Sequence, residues 1–143
     1  MHPILDDILL MFFGFTGFVL AFYIYHKKHE NKPLVCPLRS DCNAVITSRW
    51  SRLAGIPVEI LGMCYYATIV ILHAVVATYP FVFSSTVEHV SLIVSAIAFC
   101  FSIYLISIQA FVLKQWCMWC LCSATLCVLI FLTTYLSSPG LLH

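Results

Sequence analysis

Four of the eight cysteines stand where thiol chemistry can be done. Cys36 and Cys42 lie in the longest polar stretch, and Cys117 and Cys120 are spaced C-x-x-C where the last apolar run begins. A C-x-x-C at a helix N-terminus sets its first thiol near unpaired backbone amides and the positive end of the helix dipole, which favours the thiolate. Lys114, just upstream, adds a cation. Such a pair closes into a small-ring disulfide and reopens, so it exchanges electrons rather than only stapling the fold. Trp116 and Trp119 flank it as an interfacial aromatic belt would, which puts these thiols at the membrane boundary, within reach of a hydrophobic acceptor in lipid. Cys36 and Cys42 enclose Pro37, Leu38, Arg39, Ser40 and Asp41 in a polar loop open to a soluble protein. Exchange between the two pairs would carry electrons from an aqueous dithiol to an acceptor in the bilayer through mixed disulfides.

The elements that must hold these cysteines are transmembrane helices. Of the 143 residues, 62% are hydrophobic and 9% charged, with a mean hydropathy of +1.01, far from the roughly 25% charge of soluble domains. Spans are expected at about 4–25, 56–79, 87–113 and 116–136, each near the length of about 20 residues that crosses a bilayer. The expectation is an all-α four-helix membrane bundle occupying 1–143, with Pro80 to Thr86 as a short turn and Lys114 with Gln115 as a minimal link. Span one should stay in the mature protein: its apolar core is too long for a cleaved signal, and no cation precedes it. The loop 26–55 holds Lys27, Lys28, Lys32, Arg39, Arg49 and Arg52, six of the seven cations. Within it, Ala44, Val45, Ile46, Trp50 and Leu53 fall at near-helical spacing, which predicts a short interfacial helix between spans one and two. Glu59 would then sit in the first turn of span two, close to headgroups.

The stretch C-P-L-R-S-D-C-N-A-V-I-T-S-R-W-S-R-L-A-G-I-P-V-E-I-L-G from Cys36 to Gly62, together with C-M-W-C from Cys117 to Cys120, resembles the vitamin K epoxide reductase family of membrane thiol oxidoreductases. The resemblance implies a four-helix bundle enclosing a quinone of ubiquinone or menaquinone type beside the C-x-x-C, capped by a loop with two more cysteines and a half-helix. It implies that Cys36 receives electrons from a thioredoxin-like protein, that Cys42 passes them to Cys117, and that Cys120 faces the quinone. Ser48, Ile46, Val58, Glu59 and Gly62 would line the quinone site. Ala124 stands where vertebrate members carry a tyrosine, so the chemistry implied is that of the bacterial branch, partner oxidation coupled to quinone reduction in support of disulfide formation. Many bacterial members carry a fused thioredoxin-like domain; this chain ends at His143 without one, so a separate partner is expected.

Other readings compete. Four cysteines could hold a structural zinc, although five residues between Cys36 and Cys42 exceed the usual two to four. A small transporter would use Glu59 and leave the cysteines unexplained, and a structural bundle would use them as staples. Cys64, Cys100, Cys122 and Cys127 lie in apolar runs and read as packing residues. His73 reads either as a proton carrier or as a histidine bonded to a neighbouring helix, and Gln109 as satisfied near the interface. No resident metal and no nucleic-acid partner is expected. For orientation, the cation-rich loop points the cysteine face to the cytoplasm by the positive-inside rule, whereas the resemblance places it outside the cytoplasm in the cell membrane.

Overall fold

The computed structural model describes residues 3–32, 36 and 42–138. Residues 33–35 and 37–41, including the loop cation Arg39, lie outside the described residues, as do the side chains of Pro3, Cys42, Asn43, Phe83 and Ser84.

Four long helices carry the fold: α1 (Pro3–His29), α3 (Val58–Thr78), α4 (Pro80–Ser107) and α5 (Met118–Ser137). Each is long and apolar enough to cross a membrane, with mean hydropathy between 1.9 and 2.3. Large apolar side chains such as Phe12, Phe15, Ile93, Ile97 and Leu132 point outward. That arrangement is unfavourable in water and favourable in lipid, where helix association relies on close packing. α1 packs on α3 and α5, and α4 packs on α5 and α3, closing a ring of four.

Two turns differ from the sequence expectation. The link between the second and third spans is one residue, Tyr79 (φ −131°, ψ 67°), after which Pro80 opens α4. Proline is suited to the first helical turn because it has no N–H to satisfy there, so Pro80 to Thr86 continue as helix instead of forming a loop. At the other face the third span ends in a π-helical turn, Ile108–Leu113, followed by Lys114 in a left-handed conformation (φ 53°).

The cap is segmented. Helix α2 (Cys42–Ile46) gives way to an extended Ser48 (φ −67°, ψ 158°), a 3₁₀ turn at Arg49–Ser51, and a two-stranded hairpin. In that hairpin β1 (Arg52–Leu53) pairs antiparallel with β2 (Ile56–Pro57). The single interfacial helix expected over Asn43 to Leu53 is therefore broken. Ser48 Oγ donates back to the Val45 carbonyl at 2.7 Å and Ser51 Oγ to the Ser48 carbonyl at 2.8 Å, so local side-chain bonds compete with helix continuation. The hairpin turn uses Ala54 and Gly55, both at positive φ (53° and 84°).

The tightest helix contact is α1 on α3. Tyr66 is fully buried, and its hydroxyl donates to the Ser123 carbonyl at 2.8 Å, tying α3 to α5. Its ring fills the space over Gly17, where any Cβ would overlap it, while a Cβ at Gly14 would lie 2.8 Å from Val70 Cγ2. Gly17→Ala is expected to destabilise the bundle by about 1–3 kcal/mol, because a rigid ring has no room to yield. Thermal unfolding in detergent checks this; a melting temperature equal to wild type would show that the contact yields freely.

Candidate functional site

Cys117 ends the left-handed turn and caps α5. Its backbone is extended (φ −105°, ψ 110°), its Sγ accepts the Cys120 N–H at 3.3 Å, and its own N–H donates to Gln109 Oε1 at 3.1 Å. The thiol is fully buried. Its pKa lies below the ordinary thiol value, first because the Cys120 side chain hydrogen-bonds the sulfur, and further because the Cys120 and Trp119 backbone amides do; burial and the Glu59 carboxylate oppose this. The expected cation Lys114 is exposed, and the sulfur's hydrogen bonds do the lowering instead.

Cys120, one turn later, is half-buried and lines a cavity of about 420 Å³. The cavity lies among the four long helices, under the cap and beside the Cys117–Cys120 turn. Ser48, Ile46, Val58, Glu59 and Gly62, the five expected quinone contacts, all line it. So do Ala124 and residues not placed at the quinone site from sequence: Trp50 and Ser51 of the cap, Tyr65 and Tyr66 of α3, and Ser102 of α4. Arg49 is exposed and stacks 4.9 Å from the Trp50 ring.

Glu59 is turned inward, away from headgroups. It is 8% exposed and paired with Lys28 Nζ at 3.4 Å; that ammonium also donates to Ser51 Oγ at 3.1 Å. Lys28, read from sequence as a loop cation, sits in the last turn of α1, which extends to His29. It lies one turn after the buried Ile24, but nothing in the local sequence pattern says that its ammonium reaches across to α3. A carboxylate so buried is costly without a partner, and the Lys28 ammonium supplies one. Gln109, expected at the interface, is buried, and its carbonyl holds the turn that presents Cys117.

Cys36 is disulfide-bonded and half-buried. It packs with Cys120 and Trp119 on the cluster formed by Ile24, Val45, Ile46 and Cys117. The backbone of Cys42 opens α2, and its side chain lies outside the described residues. Trp116 is exposed as an interfacial residue should be, but Trp119 turns inward against Tyr23, ring centroids 5.0 Å apart. Cys64, Cys100 and Cys122 are exposed on the helices' outer faces, while Cys127 is buried at the cavity wall beside the Tyr66 hydroxyl.

The four-helix membrane bundle thus sets a C-x-x-C against an apolar cavity, with the disulfide-bonded Cys36 packed on the same cluster as Cys117. The family model for the vitamin K epoxide reductase family matches residues 8–135, most of the chain, and the protein belongs to that family. It is a multi-pass membrane oxidoreductase.

Proposed function

We propose that the protein oxidises a thioredoxin-like partner through Cys36 and Cys42, relays the electrons to Cys117 and Cys120, and reduces a membrane quinone held in the cavity. The observation that carries this is Cys120 at the wall of an apolar cavity whose fully buried neighbour, Cys117, shares a packing cluster with Cys36. The cavity suits such an acceptor: its volume lies in the usual range for small-ligand sites and its wall is mostly apolar.

A bound quinone supplies an acceptor for two electrons and two protons. The chain's residues do the rest. Partner dithiol attack opens the Cys36 disulfide through a mixed disulfide, and the partner leaves oxidised. A loop thiolate, assigned to Cys42 by the family resemblance, then attacks the Cys117–Cys120 disulfide at Cys117, releasing Cys120. Closing the loop disulfide leaves both C-x-x-C thiols reduced, the arrangement in which Cys36 is bonded and Cys117 and Cys120 are free. Oxidation of that dithiol back to its disulfide releases two electrons into the cavity and two protons. The low pKa of Cys117 makes it a good leaving thiolate when Cys36 resolves the mixed disulfide and the loop bond closes. Lys28 and Glu59 stay paired at the cavity wall and hold Ser51 of the 3₁₀ turn against α1.

The cysteine face lies on the extracytoplasmic side in this reading, where disulfide-forming chemistry is put to use. The test is quinone bleaching by the purified protein with reduced thioredoxin as donor. Turnover supports the relay; no turnover, with zinc taken up by the four thiols, would make the cysteines structural.

A further inference from the structure

The bundle holds a second polar assembly at the face opposite the cysteines. On α1, Asp7 Oδ1 lies 2.8 Å from Nδ1 of His73 on α3, and Nε2 of the same ring lies 3.2 Å from Ser91 Oγ on α4. His73 is 4% exposed, and Ser91 is fully buried. Ser95, also fully buried, lies one helical turn beyond Ser91, about 6 Å along α4 at 1.5 Å per residue. Its Oγ accepts from the Tyr65 hydroxyl at 3.4 Å, and Tyr65 lines the cavity. The side chains of Asp7, His73, Ser91, Ser95 and Tyr65 thus run from the end of the bundle near both described termini to the cavity. No direct bond joins Ser91 to Ser95, so passage between these two hydroxyls requires intervening water.

Burying a histidine, an aspartate and two serines among apolar helices is costly, and a clamp between α1, α3 and α4 would need only the first three groups. Ser95 and Tyr65 extend the line inward, to the cavity wall. Each member of the line carries or accepts a proton, and an imidazole with one nitrogen on a carboxylate and the other on a hydroxyl can pass a proton from one to the other. Among the described residues, the other carboxylates and histidine at this end leave the line intact: Asp6 accepts from Ser137 Oγ at 2.9 Å, His89 is turned out to the Ser85 carbonyl, and Glu88 is half-buried on α4.

We propose that this line delivers protons to the cavity from the membrane face opposite the cysteines. The inference rests on the quinone-reducing reading given above. The balance is then vectorial. Each partner dithiol oxidised releases two electrons and two protons at the cysteine face. Reduction in the cavity consumes those two electrons and two protons drawn past Asp7 and His73 from the other side. The protein would therefore separate charge across the membrane as it forms disulfides.

The test uses the full chain in sealed vesicles containing a short-chain ubiquinone, a lumenal pH dye and a potassium ionophore to balance charge. Reduced thioredoxin added outside engages only molecules whose cysteine face is outward, so the lumen samples the Asp7 side. Quinone bleaching and lumenal pH are recorded together. The expected result is lumenal alkalinisation in step with bleaching, abolished by an uncoupler. In Ser95→Ala and Tyr65→Phe, each of which removes only a hydroxyl, alkalinisation per quinone should fall by about tenfold or more. Thermal unfolding of the same variants reads any loss of fold separately. Bleaching without lumenal alkalinisation in the wild type would overturn the proposal while leaving the quinone reading intact. Alkalinisation unchanged in both variants would overturn the assigned route. Absence of bleaching would remove the quinone reading itself and this inference with it.

Discussion

Replacing Cys120 with alanine is expected to lower quinone reduction by on the order of a thousandfold or more, because the variant retains no thiol at the cavity wall that can close a disulfide with Cys117. The substitution has a second effect, which separates chemistry from packing. The Cys120 side chain is the first cause of the low Cys117 pKa, so alanine should move that thiol back towards its ordinary value. Serine keeps a donor at the same place. In Cys120→Ser the Cys117 thiolate should therefore persist to lower pH than in Cys120→Ala, although both are inactive. The sign follows from the direction of the shift: a lowered pKa means that the thiolate is lost only at a more acid pH. Ultraviolet thiolate absorbance, titrated in the two variants, reads the difference. Equal midpoints would mean that backbone amides alone hold the thiolate.

The second large effect concerns the outer pair. Cys36→Ala should lower turnover with reduced thioredoxin by on the order of a hundredfold or more, while turnover with dithiothreitol is retained. Cys117 is fully buried, so a folded donor cannot touch it and depends on the cap; a small dithiol can reach the half-buried Cys120. A purely structural disulfide at Cys36 would behave differently, with both donors failing alike as the protein loses stability. Parallel assays with the two donors, alongside thermal unfolding, distinguish these results.

The four spans were legible because lipid imposes a length and a composition that few other environments require. The position of the C-x-x-C at a helix start was legible because it stands at the head of the last apolar run. Partnerships between helices were not. His73 could be read as bonded to a neighbour, but nothing in the local pattern names Asp7 and Ser91, which are brought to it by packing across three helices. Lys28 and Glu59 show the same limit: one was assigned to the loop and the other to headgroups, and only the extension of α1 to His29 brings them together. Gln109 was obscured for a different reason. A π-helical turn shifts side chains relative to ordinary helical register, so its alignment with the Cys117 amide cannot be counted out from 3.6-residue spacing. The broken cap helix follows from Ser48 and Ser51, whose hydroxyls bond nearby backbone carbonyls and compete with helix; the spacing of apolar residues alone concealed the break.

The cap also explains why an apolar cavity can sit beside water without flooding. Val45 and Ile46 are buried against Ile24 and Cys117, and Trp119 closes on Tyr23, so apolar surface separates the cavity thiol from the polar loop. The Lys28–Glu59 pair and Ser51 then anchor the 3₁₀ turn to α1 and α3. A relay needs this separation, since thiols in free contact with water and dissolved disulfides would exchange indiscriminately.

The most direct measurement is a single turnover: the protein is reduced fully, freed of reductant and mixed with a slight excess of a short-chain ubiquinone. Quinol is then quantified while mass spectrometry maps the disulfides formed. The expected result is one Cys117–Cys120 disulfide for each quinol in the first phase, before any bond appears at Cys36. Quinol formed while Cys117 and Cys120 stay reduced, or a first disulfide elsewhere in the chain, would contradict the assignment of these two thiols as the donors to the cavity.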